Sequence, residues 1–213
     1  RCVEFLDRAS IECIKDKFNF PISNNINAVL ILEVDGKSDA VIQDAENLRK
    51  FCIDKGALNV ISASDKKEAE DIWKARKSLS SALFKIAPNK INEDIVVPIS
   101  CIPDMVRRIR KIQETTSLNI VSFGHAGDGN IHCNIMYNKK NSQECIMAQY
   151  AVDKLFADTL ELGGTITGEH GVGITKIKYL PKEIGEYEIE IMRGIKKVFD
   201  PYNILNPGKI FLN

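Results

Sequence analysis

The chain has 213 residues, 44% hydrophobic and 27% charged, enough for one sizeable core or at most two small domains. Its 29 basic and 29 acidic residues cancel, which removes the electrostatic case for nucleic acid or an anionic membrane as partner. No apolar run approaches the ~20 residues a bilayer span needs, and no basic–apolar–small pattern marks a signal peptide. The six cysteines (Cys2, Cys13, Cys52, Cys101, Cys133, Cys145) form no CxxC pair, so they are expected to be reduced and mostly buried, as in a cytosolic protein. The chain opens Arg1-Cys2-Val3-Glu4 without an initiator methionine, which points to processing or to a piece of something longer.

Residues 3–17 are mixed and suggest a short helix. Ala28 to Asp35 is a near-continuous apolar run ending at Gly36, as in a buried strand. Val41 to Lys55 has helical spacing and stops at Gly56, a suitable C′ residue. Asn59 to Ser62 reads as a second strand. Ser64 can cap a long helix running to about Ile86, before Pro88. Asp94 to Ile99 looks like a strand with Pro98 at its end or on an edge. Ile102 to Thr115 is a helix entered through Pro103. Asn119–Phe123 and Ile131–Tyr137 are the arms of a hairpin around an AGDGN turn. Gln143–Leu162 and Glu183–Phe199 are further helices, followed by an extended tail. Comparable helix and strand content plus a hairpin favours an α+β fold: helices packed on one face of a largely antiparallel sheet.

All three histidines fall in two glycine-rich segments, His125-Ala-Gly-Asp-Gly-Asn-Ile-His132 and Gly168-Glu-His170-Gly-Val-Gly173. Histidine is the side chain most used for metal ligation and for proton transfer near neutral pH. With Gly127–Asn130 as the turn, His125 should oppose His132 across the ladder, close enough to share a metal. Asn134 follows on the same face because strand side chains alternate. Glu169 could complete a His₂Glu set with one position open, leaving His170 free as a base. A half-buried pair of surface histidines, and a loop with a surface Glu-His pair, are the bland alternatives. Cys133 should point to the opposite face from His132. Phosphate-loop readings fail on spacing: Ile174 follows Gly173 where GxxxxGK[ST] needs lysine, and Lys176 stands where GxGxxG needs glycine. Arg76 offers a planar fork suited to a carboxylate, or belongs to a solvated helix face with Lys74 and Lys77. Ser80, Lys90 and Lys176 carry weaker signals. Asn206-Pro207-Gly208-Lys209 is either a cofactor-facing tail or a turn.

Three long stretches, SFGHAGDGNIH (Ser122–His132), TGEHGVG (Thr167–Gly173) and DPYNILNPGKI (Asp200–Ile210), resemble the C-terminal half of FAD-linked oxidases, with WKARK (Trp73–Lys77) and DIVVP (Asp94–Pro98) fitting in order. The group comprises the glycolate oxidase flavoprotein subunit, D-lactate dehydrogenase and D-2-hydroxyglutarate dehydrogenase. The resemblance implies that residues 1–213 form a ferredoxin-like substrate-binding cap, with the N-terminal FAD-binding domain absent from this chain. It also implies a divalent metal, zinc above all, on His125, His132 and Glu169. His170 would then be the base, Arg76 and Asn134 the substrate contacts, and Asn206 and Lys209 the residues near the flavin.

The expected function is oxidation of a small D-2-hydroxy acid of glycolate or D-lactate type, with hydride passing to FAD held mainly by the missing domain. Electron-acceptor subunits and a cytoplasmic location, peripheral to a membrane at most, complete the expectation. Two other readings compete: a non-catalytic cap or assembly module whose metal is structural or absent, and a flavin-free metallohydrolase.

Overall fold

The computed structural model describes residues 1–211. In chain order the elements are β1 (Cys2–Asp7), α1 (Arg8–Ile14), β2 (Ala28–Glu33), α2 (Ser38–Asp54), α3 (Lys66–Lys77), α4 (Leu79–Ala82), β3 (Asn89–Val96), α5 (Ile102–Thr116), β4 (Asn119–His125), β5 (Asn130–Tyr137), α6 (Ser142–Glu161), α7 (Leu180–Glu183) and α8 (Glu186–Phe199). The five strands form one antiparallel sheet in the order β2-β1-β4-β5-β3. No described helix is long and apolar enough to cross a membrane.

The ferredoxin-like unit lies inside this sheet. It reads β3-α5-β4-β5-α6, and the chain then returns to pair Thr165 with Val96 in an isolated antiparallel bridge. Thr165 therefore stands where the last strand of a βαββαβ unit belongs, reduced to one residue pair. β1 and β2 extend the sheet on the β4 side.

Alternation along β5 sorts the two faces. Ile131, Cys133 and Ile135 join the larger core, packed with Met105, Ile109 and Ile112 of α5 and Ala151, Leu155 and Phe156 of α6. The opposite face carries a smaller core in which Leu6, Val121, Phe123 and Met136 meet α1, Ala75 of α3 and Leu79 and Ala82 of α4. That second cover is partial. Where it stops, β3 and β5 present Asp94, His132 and Asn134. The larger core thus fixes the sheet, and the polar end of the other face is left for chemistry.

Local signals explain most element ends. Asp7 caps α1 by accepting from the Ser10 N–H at 2.7 Å, and its other oxygen takes the Ser122 N–H and hydroxyl at 2.8 and 2.6 Å. Ser117 ends α5 in the left-handed region at φ 57°. Asn141 caps α6.

Several expectations change. Residues 2–7 are a strand, and the helix expected over 3–17 occupies only 8–14. Asn59–Ser62 forms no strand. The long helix is α3 and α4 followed by a 3-10 turn, Leu83–Lys85. It starts from Asp65, whose carboxylate accepts from the Glu68 N–H at 2.9 Å, while Ser64 donates to the Glu68 carboxylate. The last helix breaks at Ile184–Gly185 into α7 and α8. All six cysteines are free, but only Cys133 is buried; the other five are half-buried.

Candidate active site

The β4–β5 hairpin supplies two of the histidines. The register pairs His125 with Asn130 and Phe123 with His132, so the turn is Ala126–Gly129 rather than Gly127–Asn130. Moving the turn back by one residue changes the partners but not the faces, because the side-chain period is two. His125 and His132 become diagonal neighbours on one face, with ring centroids 5.3 Å apart and planes at 85°. Gly129 makes this turn possible. It sits at φ +85°, and a Cβ there would lie 2.0 Å from the Val97 carbonyl oxygen.

The loop after α6 supplies the rest. Among the described residues, one ligand atom from each of His125, His132 and Glu169 lies within 4.8 Å of the others. His125 Nε2 is 3.4 Å from Glu169 Oε1. Two imidazoles and a carboxylate converging on one point match the donor chemistry of an open divalent-cation site, so these residues fit such an ion. Burial holds the His132 imidazole below its ordinary pKa, which favours the neutral form that ligates. His170 stacks against His132 with centroids 5.9 Å apart.

A buried carboxylate holds that loop in place. Asp94 is fully buried on β3, opposite His132. Its Oδ2 accepts the backbone N–H groups of Gly168, Glu169 and His170 at 3.0, 2.5 and 2.8 Å. Its Oδ1 takes the Lys176 ammonium at 2.5 Å and lies 3.4 Å from His170 Nδ1. Burial pushes the Asp94 carboxyl up, but Lys176 and the His170 and Glu169 amides outweigh it and hold it at about 2. Lys176, itself buried, also donates to the Ile166 carbonyl at 2.8 Å. The side of His170 away from Asp94 is Nε2.

Arg76 reaches the site from α3, so it does not belong to a solvated face. Its guanidinium lies over the Phe123 ring, 4.5 Å from the centroid. Its Nε and Nη2 bind one oxygen of Glu4 at 3.0 and 2.7 Å, and the other oxygen of Glu4 contacts His125 Nδ1. One edge of the fork is therefore taken by the protein. Asn134 follows His132 on the same face but is buried, with Nδ2 donating to the Val121 carbonyl at 3.2 Å and Oδ1 unpartnered. Lys90 donates to the Ser80 hydroxyl at 2.9 Å, and burial lowers its pKa.

Asn206 and Lys209 are exposed and bonded to each other, Lys209 Nζ to Asn206 Oδ1 at 3.0 Å. Their tail is ordered by Asp200, which accepts from the Ile204 and Leu205 N–H groups. It touches the site loop where the Ile210 N–H meets the Gly173 carbonyl at 2.8 Å.

Glu4 and Asp94 were not singled out from sequence. Glu4 lies in a segment that reads as helix, so no alternation flagged it. Asp94 carried one usable signal, a carboxylate opening the apolar strand DIVVP, where a buried acid demands a partner.

Comparison with known proteins places the chain's sequence and fold. The family model described as FAD linked oxidases, C-terminal domain, matches residues 2–210. The chain is 40% identical over 209 residues to glycolate oxidase subunit GlcD of Bacillus subtilis (strain 168), covering 98% of this chain and 44% of that protein. It is 36% identical over 188 residues to D-lactate dehydrogenase of Anaerostipes hadrus (87% and 39% covered). It is 37% identical over 177 residues to D-2-hydroxyglutarate dehydrogenase of Xanthomonas citri pv. viticola (79% and 37% covered). The chain thus spans less than half the length of these relatives. A solved structure of p-cresol methylhydroxylase with substrate bound has the same fold at TM-score 0.69 and 13% identity, covering 98% of this chain and 46% of that one.

Proposed function

This chain belongs to the family of FAD-linked oxidase C-terminal domains, and from that membership we propose that it is the substrate-binding cap of a flavoprotein oxidising a small D-2-hydroxy acid of glycolate or D-lactate type. The convergence of His125, His132 and Glu169 carries this reading. The three residues would hold a divalent cation, zinc first. When bound, the cation supplies Lewis acidity toward the substrate hydroxyl and carboxylate, and FAD, held mainly by a domain outside this chain, supplies the hydride acceptor.

The chain's own residues do the rest. His170, with Nδ1 turned to Asp94, accepts the substrate hydroxyl proton at Nε2. Arg76 meets the substrate carboxylate through the part of the guanidinium not committed to Glu4, fixing the reacting carbon in place. Asn134, on the same face as His132 and with its Oδ1 unpartnered, would be the second substrate contact, and Asn206 and Lys209 would approach the flavin from the tail. Electron-acceptor subunits, and a cytoplasmic site of action peripheral to a membrane at most, follow from the same reading.

Elemental analysis of the purified chain is the direct test. One divalent ion per chain, lost in Glu169→Gln, is expected. A metal-free chain that takes up none from a zinc buffer returns the domain to a non-catalytic cap.

A further inference from the structure

We propose that Glu4 is a positioning residue that fixes His125 as its Nδ1–H tautomer and so aims the Nε2 lone pair into the site. The inference rests on the cation reading above for its consequence, but its geometric basis is independent of any bound ion.

Glu4 sits directly across from His125 in the β1–β4 register. It is 4% exposed, and a carboxylate so buried persists only with partners for both oxygens. It has them. Oε1 contacts His125 Nδ1, and Oε2 takes the Nε and Nη2 groups of Arg76. Because Arg76 holds Oε2, the carboxylate cannot rotate toward the site and serve as a ligand itself. Its remaining oxygen is an acceptor, so the His125 nitrogen facing it must carry the proton. The other nitrogen, Nε2, is the one that lies 3.4 Å from Glu169 Oε1. A ligating histidine whose far N–H is donated to a carboxylate is held in orientation, and losing such a partner commonly costs 10–100-fold in metal affinity.

Glu4→Gln discriminates sharply. Arg76 can only donate, so the introduced amide must turn its carbonyl to Arg76 and its NH₂ to His125. Nδ1 then has to accept, the ring proton moves to Nε2, and the ligating lone pair is lost. Long-range nitrogen–proton NMR of the metal-free 213-residue chain at alkaline pH should show Nδ1–H for His125 in the wild type and Nε2–H in Glu4→Gln. Zinc affinity, read by competition with a chromophoric chelator, should fall roughly 10–100-fold, with unchanged circular dichroism certifying the fold. A His125 tautomer identical in both proteins overturns the role of Glu4, whether or not zinc binds. A wild-type chain with the expected tautomer and no zinc binding overturns the cation reading alone and leaves Glu4 fixing the ring.

Discussion

His132 lies across the hairpin from Phe123, and His125 reaches it diagonally, ring edge to ring face, on the side of the sheet away from α5 and α6. Cys133, one residue on, points the other way into the larger core. Neighbours in sequence therefore belong to different tasks. His132→Ala should abolish stoichiometric zinc binding while changing stability by less than about 1 kcal/mol, as for a half-buried side chain away from the core. Cys133→Ser should leave zinc binding within about threefold yet destabilise by roughly 1–3 kcal/mol, since it buries a hydroxyl in an apolar setting. Paired urea and chelator titrations separate the two, and a Cys133 variant that loses zinc would contradict the face assignment.

His170→Ala tests the base. Asp94 grips the His170 backbone N–H rather than depending on its ring, so the substitution should leave the loop in place. In the intact flavoprotein, turnover should fall by about 10²–10⁴ with zinc content unchanged. Near-normal turnover removes His170 from proton transfer.

Asp94 gives the pH dependence. Its carboxyl is lowered from 3.8 to about 2, so the unfolded chain binds its proton more readily than the folded one. The resulting stability is fully present above about pH 4 and is lost as pH falls toward 2, amounting to about 2 kcal/mol. Wild type minus Asp94→Asn stability, measured in urea across that window, should shrink as the solution is acidified. A difference that stays constant with pH would mean the carboxylate is not held by Lys176 and the amides.

Arg76→Ala strands Glu4 in a buried position without its counter-charge. Removing one member of such a pair costs about 3–5 kcal/mol. Arg76→Lys keeps the charge but not the two-pronged contact, and should recover only part of the loss in thermal denaturation. If Arg76→Ala is as stable as wild type, the pair is not closed in solution.

Gly129→Ala should be among the most damaging single changes. It combines φ +85° with a Cβ 2.0 Å from the Val97 carbonyl oxygen, so backbone must move. A loss of roughly 3 kcal/mol or more is expected from the strained conformation and the displaced turn. Urea unfolding within about 1 kcal/mol of wild type would show that the turn relaxes freely.

The hairpin, α5, α6 and the α+β class were legible because each has a local signature: alternation around a glycine-rich turn, a proline at the first helical turn, a long helical stretch. The convergence of His125, His132 and Glu169 was legible for a similar reason, since each lies in a short motif. What escaped depends on distant partners. Cys2–Asp7 is a strand only because β2 and β4 flank it, and Glu4 matters only through that pairing. Asn59–Ser62 has strand-like residues but pairs with none of the five strands. The hairpin register hung on whether the turn closes at His125–Asn130 or one residue later, and Gly129, packed on Val97, decides it.

The single Thr165–Val96 bridge has one more consequence. Two backbone hydrogen bonds, at 3.1 and 2.9 Å, are all that the ladder contributes to holding this return segment. The stretch bearing Glu169 and His170 is thus a cassette clipped to a finished scaffold, anchored by Asp94 rather than woven into the sheet. Such a cassette can let go when one carboxylate is lost, while the hairpin and both cores keep their construction.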